Sequence, residues 1–137
     1  MKIKLFDKDI KLPEKGHLPD SGFDIFMPEA FELESLRTKT LPLGFGVSIP
    51  EGYAGMIVPR SSIAETGLLI QTAVIDPDYS GEIHLIITNC SPDYVRIEKN
   101  QRLCSLIVYN VLNPYLEVVD ELPSSYRGTH GLGSTGK

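Results

Sequence analysis

Positive charge is in deficit in this sequence: 13 Lys and Arg face 18 Asp and Glu, a formal charge of −5 over 137 residues. The basic footprint of a nucleic-acid-binding domain is therefore missing, although a few arginines gathered locally can still hold a small anion. Cysteine is scarce too. Cys90 and Cys104 lie in apolar runs without close-spaced partners, so we read them as buried free thiols of a reducing cytosol, not as a disulfide or zinc framework. The three histidines, His17, His84 and His130, match no metal-ligand spacing. No stretch reaches the ~20 apolar residues of a membrane helix, and no basic-then-apolar leader is read. A cytoplasmic protein without nucleic-acid or membrane partners is the expectation.

What the sequence does contain is ordinary globular material, 42% hydrophobic and 23% charged. At this length one domain is expected, burying about two-thirds of its unfolded surface. Turn formers are frequent, with 12 glycines and 10 prolines. Polar and apolar residues alternate at Lys2 to Phe6 and Gly22 to Phe26. Further strands are expected over Leu41 to Ile49, Tyr53 to Val58, Leu68 to Ile75, Glu82 to Thr88, Tyr94 to Ile97, Leu103 to Leu112 and Leu116 to Val119. Pro50-Glu51-Gly52, Asp76 to Gly81, Ser91-Pro92-Asp93 and Asn113-Pro114 separate them as turns. The pattern predicts an all-β barrel or jelly roll. Its one helical candidate is Ser61 to Thr66, stopped by Gly67.

Three places carry groups suited to chemistry. Thr72 to Ile75, the turn Asp76 to Gly81 and Glu82 to Ile86 read as a hairpin that sets Ala73 opposite His84 and Asp76 at the rim. A carboxylate there either polarises a water or, with Asp78, makes turn hydrogen bonds. Pro59-Arg60-Ser61-Ser62 puts a guanidinium and two hydroxyls where a strand enters a helical turn. That combination grips phosphate, or it is an N-cap serine beside an ion-paired arginine. The last fourteen residues, Ser124 to Lys137, hold four glycines, five Ser or Thr and no acid. Read alone they are a flexible tail to a 1–123 domain, although Gly131 to Gly136 is also suited to cradling phosphate. No Walker A pattern occurs.

Taken in order, these pieces resemble the trimeric dUTPase family. Ser21-Gly22-Phe23-Asp24-Ile25, Pro59 to Ala64, Ala73 to Gly81, Asn100 to Val108, and Arg127-Gly128 through Gly136 are similar to its five motifs and run through nearly the whole chain. The resemblance implies a distorted jelly-roll barrel of the β-clip type, assembled as a homotrimer with shared active sites. It implies Mg²⁺-dependent hydrolysis of dUTP to dUMP and pyrophosphate, which limits uracil in DNA and supplies dUMP for dTMP synthesis. In that scheme the backbone near Ala73 and His84 faces uracil, and Tyr79 packs on the deoxyribose. Asp76 is the general base for attack on the α-phosphorus. Ser61, with Arg60 and Ser62, stabilises the departing oxygen, and Asp24 orients an arginine. Arg127, Ser134 and Thr135 close over the γ-phosphate, with Gly133 in the same loop. Mg²⁺ is held by phosphates and water, with no protein ligand.

Four positions depart from the family pattern. Ala73 and Asn100 stand where glycines are usual, Ser105 replaces a phosphate-contacting glutamine, and Leu132 replaces the aromatic that stacks on uracil. Ser105 and Leu132 are still counted among the expected substrate contacts. Two other readings share the fold. A dCTP deaminase, or a bifunctional enzyme, would carry a proton-transferring glutamate after the hairpin, where this chain has Ile86, and an arginine where it has Glu65. A catalytically weak relative that binds nucleotides or proteins is the other.

Overall fold

A computed structural model of the chain describes residues 1–126, 128 and 129. Eleven strands and one short helix follow in order: β1 (Lys2–Leu5), β2 (Gly22–Phe26), β3 (Phe31–Leu33), β4 (Thr38–Pro42), β5 (Phe45–Ser48), β6 (Tyr53–Pro59), α1 (Ser61–Ala64), β7 (Leu68–Ile70), β8 (Ala73–Ile75), β9 (His84–Asn89), β10 (Val95–Ile97) and β11 (Arg102–Asn110). They form a four-stranded sheet β2-β11-β6-β8, a three-stranded sheet β4-β9-β7 and the pairs β1-β5 and β10-β3. Every ladder among the described residues is antiparallel. The all-β expectation is met.

One core holds the sheets together. Ile25, Ile57, Ile75 and Leu106 from the four-stranded sheet join Leu41, Leu68, Ile70, Leu85 and Ile87 from the three-stranded sheet, with Phe31, Phe45 and Ile97 from the pairs. Each such side chain contributes roughly 1.5–3 kcal/mol on burial. Alternation does the sorting: in β9, Leu85, Ile87 and Asn89 point in while His84 and Ile86 point out. Asn89 is wholly buried yet satisfied. Its amide donates to the carbonyls of Leu33 (3.1 Å) and Asp93 (2.7 Å) and accepts from the backbone and hydroxyl of Ser91.

Several sequence expectations need correction. Leu41 to Ile49 is two strands, because Pro42 ends one ladder and Gly44 turns the chain at φ +78 before β5 pairs with β1. Leu68 to Ile75 is also two strands: β7 pairs with β9, then the chain crosses sheets and β8 pairs with β6. β3, three residues long, is not among the expected strands. Leu116 to Val119 forms no strand; Leu116 and Val118 are almost fully exposed. Cys104 is buried as expected, but Cys90 is exposed, just beyond the end of β9.

Candidate active site

The stretch from Ala73 to Ile86 does not close into a paired hairpin. Ala73 lies opposite Ile57 and His84 opposite Pro42, so the predicted Ala73–His84 pairing is absent. Sheet preference explains this, since each strand buries its apolar side by joining a different sheet. The result is an open cleft of about 260 Å³, lined by Ala73, Val74, Ile75, Asp76, Tyr79, Glu82, Ile83, His84 and Ile86. Among the described residues β8 has β6 as its ladder partner and nothing on its other edge. Backbone donors and acceptors along that edge are free to read the rim of a planar ring.

Asp76 leaves β8 at the rim and is exposed. The turn that follows is closed by backbone, Tyr79 N–H to the Asp76 carbonyl at 3.1 Å. Neither the Asp76 nor the Asp78 carboxylate takes part in a hydrogen bond among the described residues, so the turn leaves the Asp76 carboxylate open to water. Tyr79 forms a wall of the cleft. Its hydroxyl donates to the Glu82 carbonyl at 2.7 Å, and its ring lies on Gly81, where a Cβ would stand 2.5 Å from the hydroxyl oxygen. His84 Nδ1 is 3.0 Å from the same Glu82 carbonyl.

A second cluster gathers on β2, β6 and β11. Asp24 Oδ2 accepts from Arg60 at 2.9 Å and from Arg102 at 3.0 Å, while Oδ1 accepts from the Ser105 hydroxyl at 2.9 Å. The Asp24 side chain is 16% exposed, Arg60 28% and Arg102 45%, so the carboxylate is the most sheltered of the three. Two cations on one anion leave a local excess of positive charge, which suits an anionic ligand. A β-bulge makes the cluster possible. Residues three apart on a regular strand point to opposite faces, but the register shifts between Arg102 and Cys104, which brings Arg102 and Ser105 to one side. The bulge buries Leu103 and Cys104 together, and burial first, then the charge of Asp24, pushes the Cys104 thiol up to about 12.

Ser61 and Ser62 are exposed at the start of α1. The N-cap is Arg60, without a side-chain cap bond, so neither serine is the capping residue. The Ser105 hydroxyl donates its proton to Asp24. Arg102 was not foreseen, because nothing in the residue order announces the bulge. Glu82 was not foreseen either. Arg127, Leu132, Gly133, Ser134 and Thr135 lie outside the described residues.

The Asp76 rim of the cleft and the arginine cluster lie apart along β6. Ile75 pairs with Gly55, whereas Arg60 follows Pro59 at the end of the strand, about 17 Å of extended strand away.

Comparison with known proteins bears on what this geometry serves. The family model described as dUTPase matches residues 8–136. Among curated relatives, a deoxyuridine 5'-triphosphate nucleotidohydrolase of Streptomyces griseus is 38% identical, over 98% of this chain and 78% of its own length. One of Clostridium tetani is 32% identical, over 100% of this chain and 97% of its own. Among solved structures, the dUTPase of Staphylococcus bacteriophage 80alpha with dUPNHPP superposes with a TM-score of 0.94 at 32% identity, covering 99% of this chain and 98% of that one. By sequence over nearly its whole length, and by fold, the chain belongs to the dUTPase family.

Proposed function

We propose that the protein hydrolyses dUTP to dUMP and pyrophosphate. The observation that carries this reading is the opening between β8 and β9, rimmed by a free carboxylate and walled by an anchored tyrosine. Uracil enters the cleft against the backbone near Ala73 and His84, and Tyr79 packs on the deoxyribose. Asp76 takes a proton from water as its oxygen attacks the α-phosphorus; the bond to the bridging oxygen breaks and pyrophosphate leaves. Charge grows on that departing oxygen. Ser61, Ser62 and Arg60 face it, with Arg60 held by Asp24, and Arg102 adds a second guanidinium on the same carboxylate. Positioning and electrostatics of this kind provide most of the catalysis in phosphoryl transfer. Arg127, Gly133, Ser134 and Thr135 close over the γ-phosphate, and Leu132 covers the base.

Mg²⁺ would be held by the triphosphate and water, with no protein ligand, and would supply neutralisation of phosphate charge. Asp24 already accepts three hydrogen bonds, which supports leaving the ion with the phosphates. The separation of Asp76 from Arg60 along β6 supports a site completed by further copies in a homotrimer. A cytoplasmic location belongs to the same reading; no helix of the described residues is long and apolar enough to cross a membrane. Against deamination stands Ile86, which has no group to move a proton at the position where a deaminase carries its glutamate.

The test is a pyrophosphate-release assay on dUTP, dTTP, dCTP and UTP with Mg²⁺. Asp76→Asn keeps the shape and removes the base, so a loss of ~10²–10⁴-fold in turnover is expected. Near-normal turnover in that variant would remove Asp76 from the role, and ammonia release from dCTP would replace hydrolysis with deamination.

A further inference from the structure

Glu82 lines the cleft but has no part in the chemistry above. Its two ends are nevertheless both engaged. The carbonyl accepts the Tyr79 hydroxyl at 2.7 Å, and the carboxylate Oε1 accepts the Gly44 N–H at 2.8 Å. Gly44 sits in the β4–β5 turn at φ +78. Two backbone bonds stitch the next residue to that turn, Leu43 N–H to the Ile83 carbonyl and Ile83 N–H to the Phe45 carbonyl, each 2.9 Å. Leu43, Phe45 and Ile83 are buried, so the turn is part of the core. Gly46 permits the close approach, since a Cβ there would stand 2.4 Å from the Gly81 carbonyl oxygen.

Tyr79 itself is 44% exposed. Its ring position follows from the Gly81 surface and the Glu82 carbonyl. We propose that Glu82 is a positioning residue for substrate selection: its carboxylate ties the cleft loop to the β4–β5 turn, and its carbonyl thereby fixes the sugar wall formed by Tyr79. The inference rests on the reading that Tyr79 packs on the deoxyribose. A wall held to within a few tenths of an ångström excludes a 2′-hydroxyl; one on a loosened loop yields to it.

The experiment compares kcat/KM for dUTP and UTP in the full-length protein. Glu82→Ala removes the side-chain tie beside the Ile83 backbone bonds and leaves the Gly44 N–H without its acceptor, so the dUTP/UTP ratio should fall about 5–20-fold, chiefly through better use of UTP. Glu82→Gln keeps an oxygen for Gly44 and should keep the wild-type ratio. Tyr79→Phe cuts the tether from the other side and should lower the ratio too, with little further loss in the double variant with Glu82→Ala. If Glu82→Ala does not fold, Tyr79→Phe alone decides, and an unchanged ratio there overturns the proposal. An unchanged ratio in a folded Glu82→Ala overturns it as well. Tyr79→Ala separates the two ideas: if that variant discriminates normally, the sugar-wall reading fails; if it loses discrimination while Glu82→Ala does not, only the role of Glu82 fails.

Discussion

Asp24 shows how one residue changes meaning with its neighbours. As a lone acid in a strand it is unremarkable, but three donors converge on it and two of them are guanidiniums. Ser105 is the smallest of the three and the one that differs from the family pattern. Ser105→Ala should leave Asp24 held by the two arginines alone, with kcat/KM for dUTP falling about 2–10-fold, the worth of one hydrogen bond. Steady-state kinetics reading no change would release Asp24 from dependence on Ser105. Cys104 gives a test independent of activity. Its folded pKa is raised from 9.0 to about 12, so the unfolded thiol ionises first as pH rises. Stability is therefore intact below pH 9 and is lost progressively toward pH 12. Cys104→Ala should flatten that alkaline limb in denaturant titrations. At pH 8 a thiol reagent should label the exposed Cys90 and spare Cys104 until the chain unfolds.

At the scale of elements, the candidate site depends on two irregularities in otherwise regular sheet. The crossing of the chain from one sheet to the other after β7 opens the cleft, and the bulge in β11 assembles the arginine cluster. Neither adds a residue with chemistry of its own; each re-aims residues already there. The terminal segment is a third element, with a role proposed on other grounds. Ser124, Ser125 and Tyr126 are exposed and lie outside the core. Removing Ser124 to Lys137 should leave the melting temperature nearly unchanged while turnover at saturating dUTP and Mg²⁺ falls steeply, because the proposed cover over the phosphates goes with it. Equal turnover with and without these residues would make the segment dispensable.

For the whole molecule, the formal charge of −5 coexists with a locally cationic site, so substrate capture depends on local arrangement and not on overall attraction. The segment after β11 exposes Leu112, Tyr115, Leu116, Val118 and Tyr126, which no other described residue of the copy covers. Together with the distance between Asp76 and Arg60, this supports assembly. Three copies of 15.2 kDa give about 46 kDa in closed symmetry, the mass expected from light scattering. A stable, active monomer would contradict the proposed shared site.

Alternation and turn residues determined most of the strands, since a period of two with Gly, Pro and Asp between runs is a local property that needs no neighbours. β2, β6, β9 and β11 were all legible in this way, as was the helical turn after Arg60. The order of motifs likewise determined the family, because motif identity resides in the residues themselves. Which strands pair was not local. Leu68 to Ile75 is one apolar run by pattern, and only competition between two sheets for its halves divided it and opened the cleft. In the same way, Arg102 and Ser105 share Asp24 only because a register shift in β11, set by packing Leu103 and Cys104 together inside, turned both to one face.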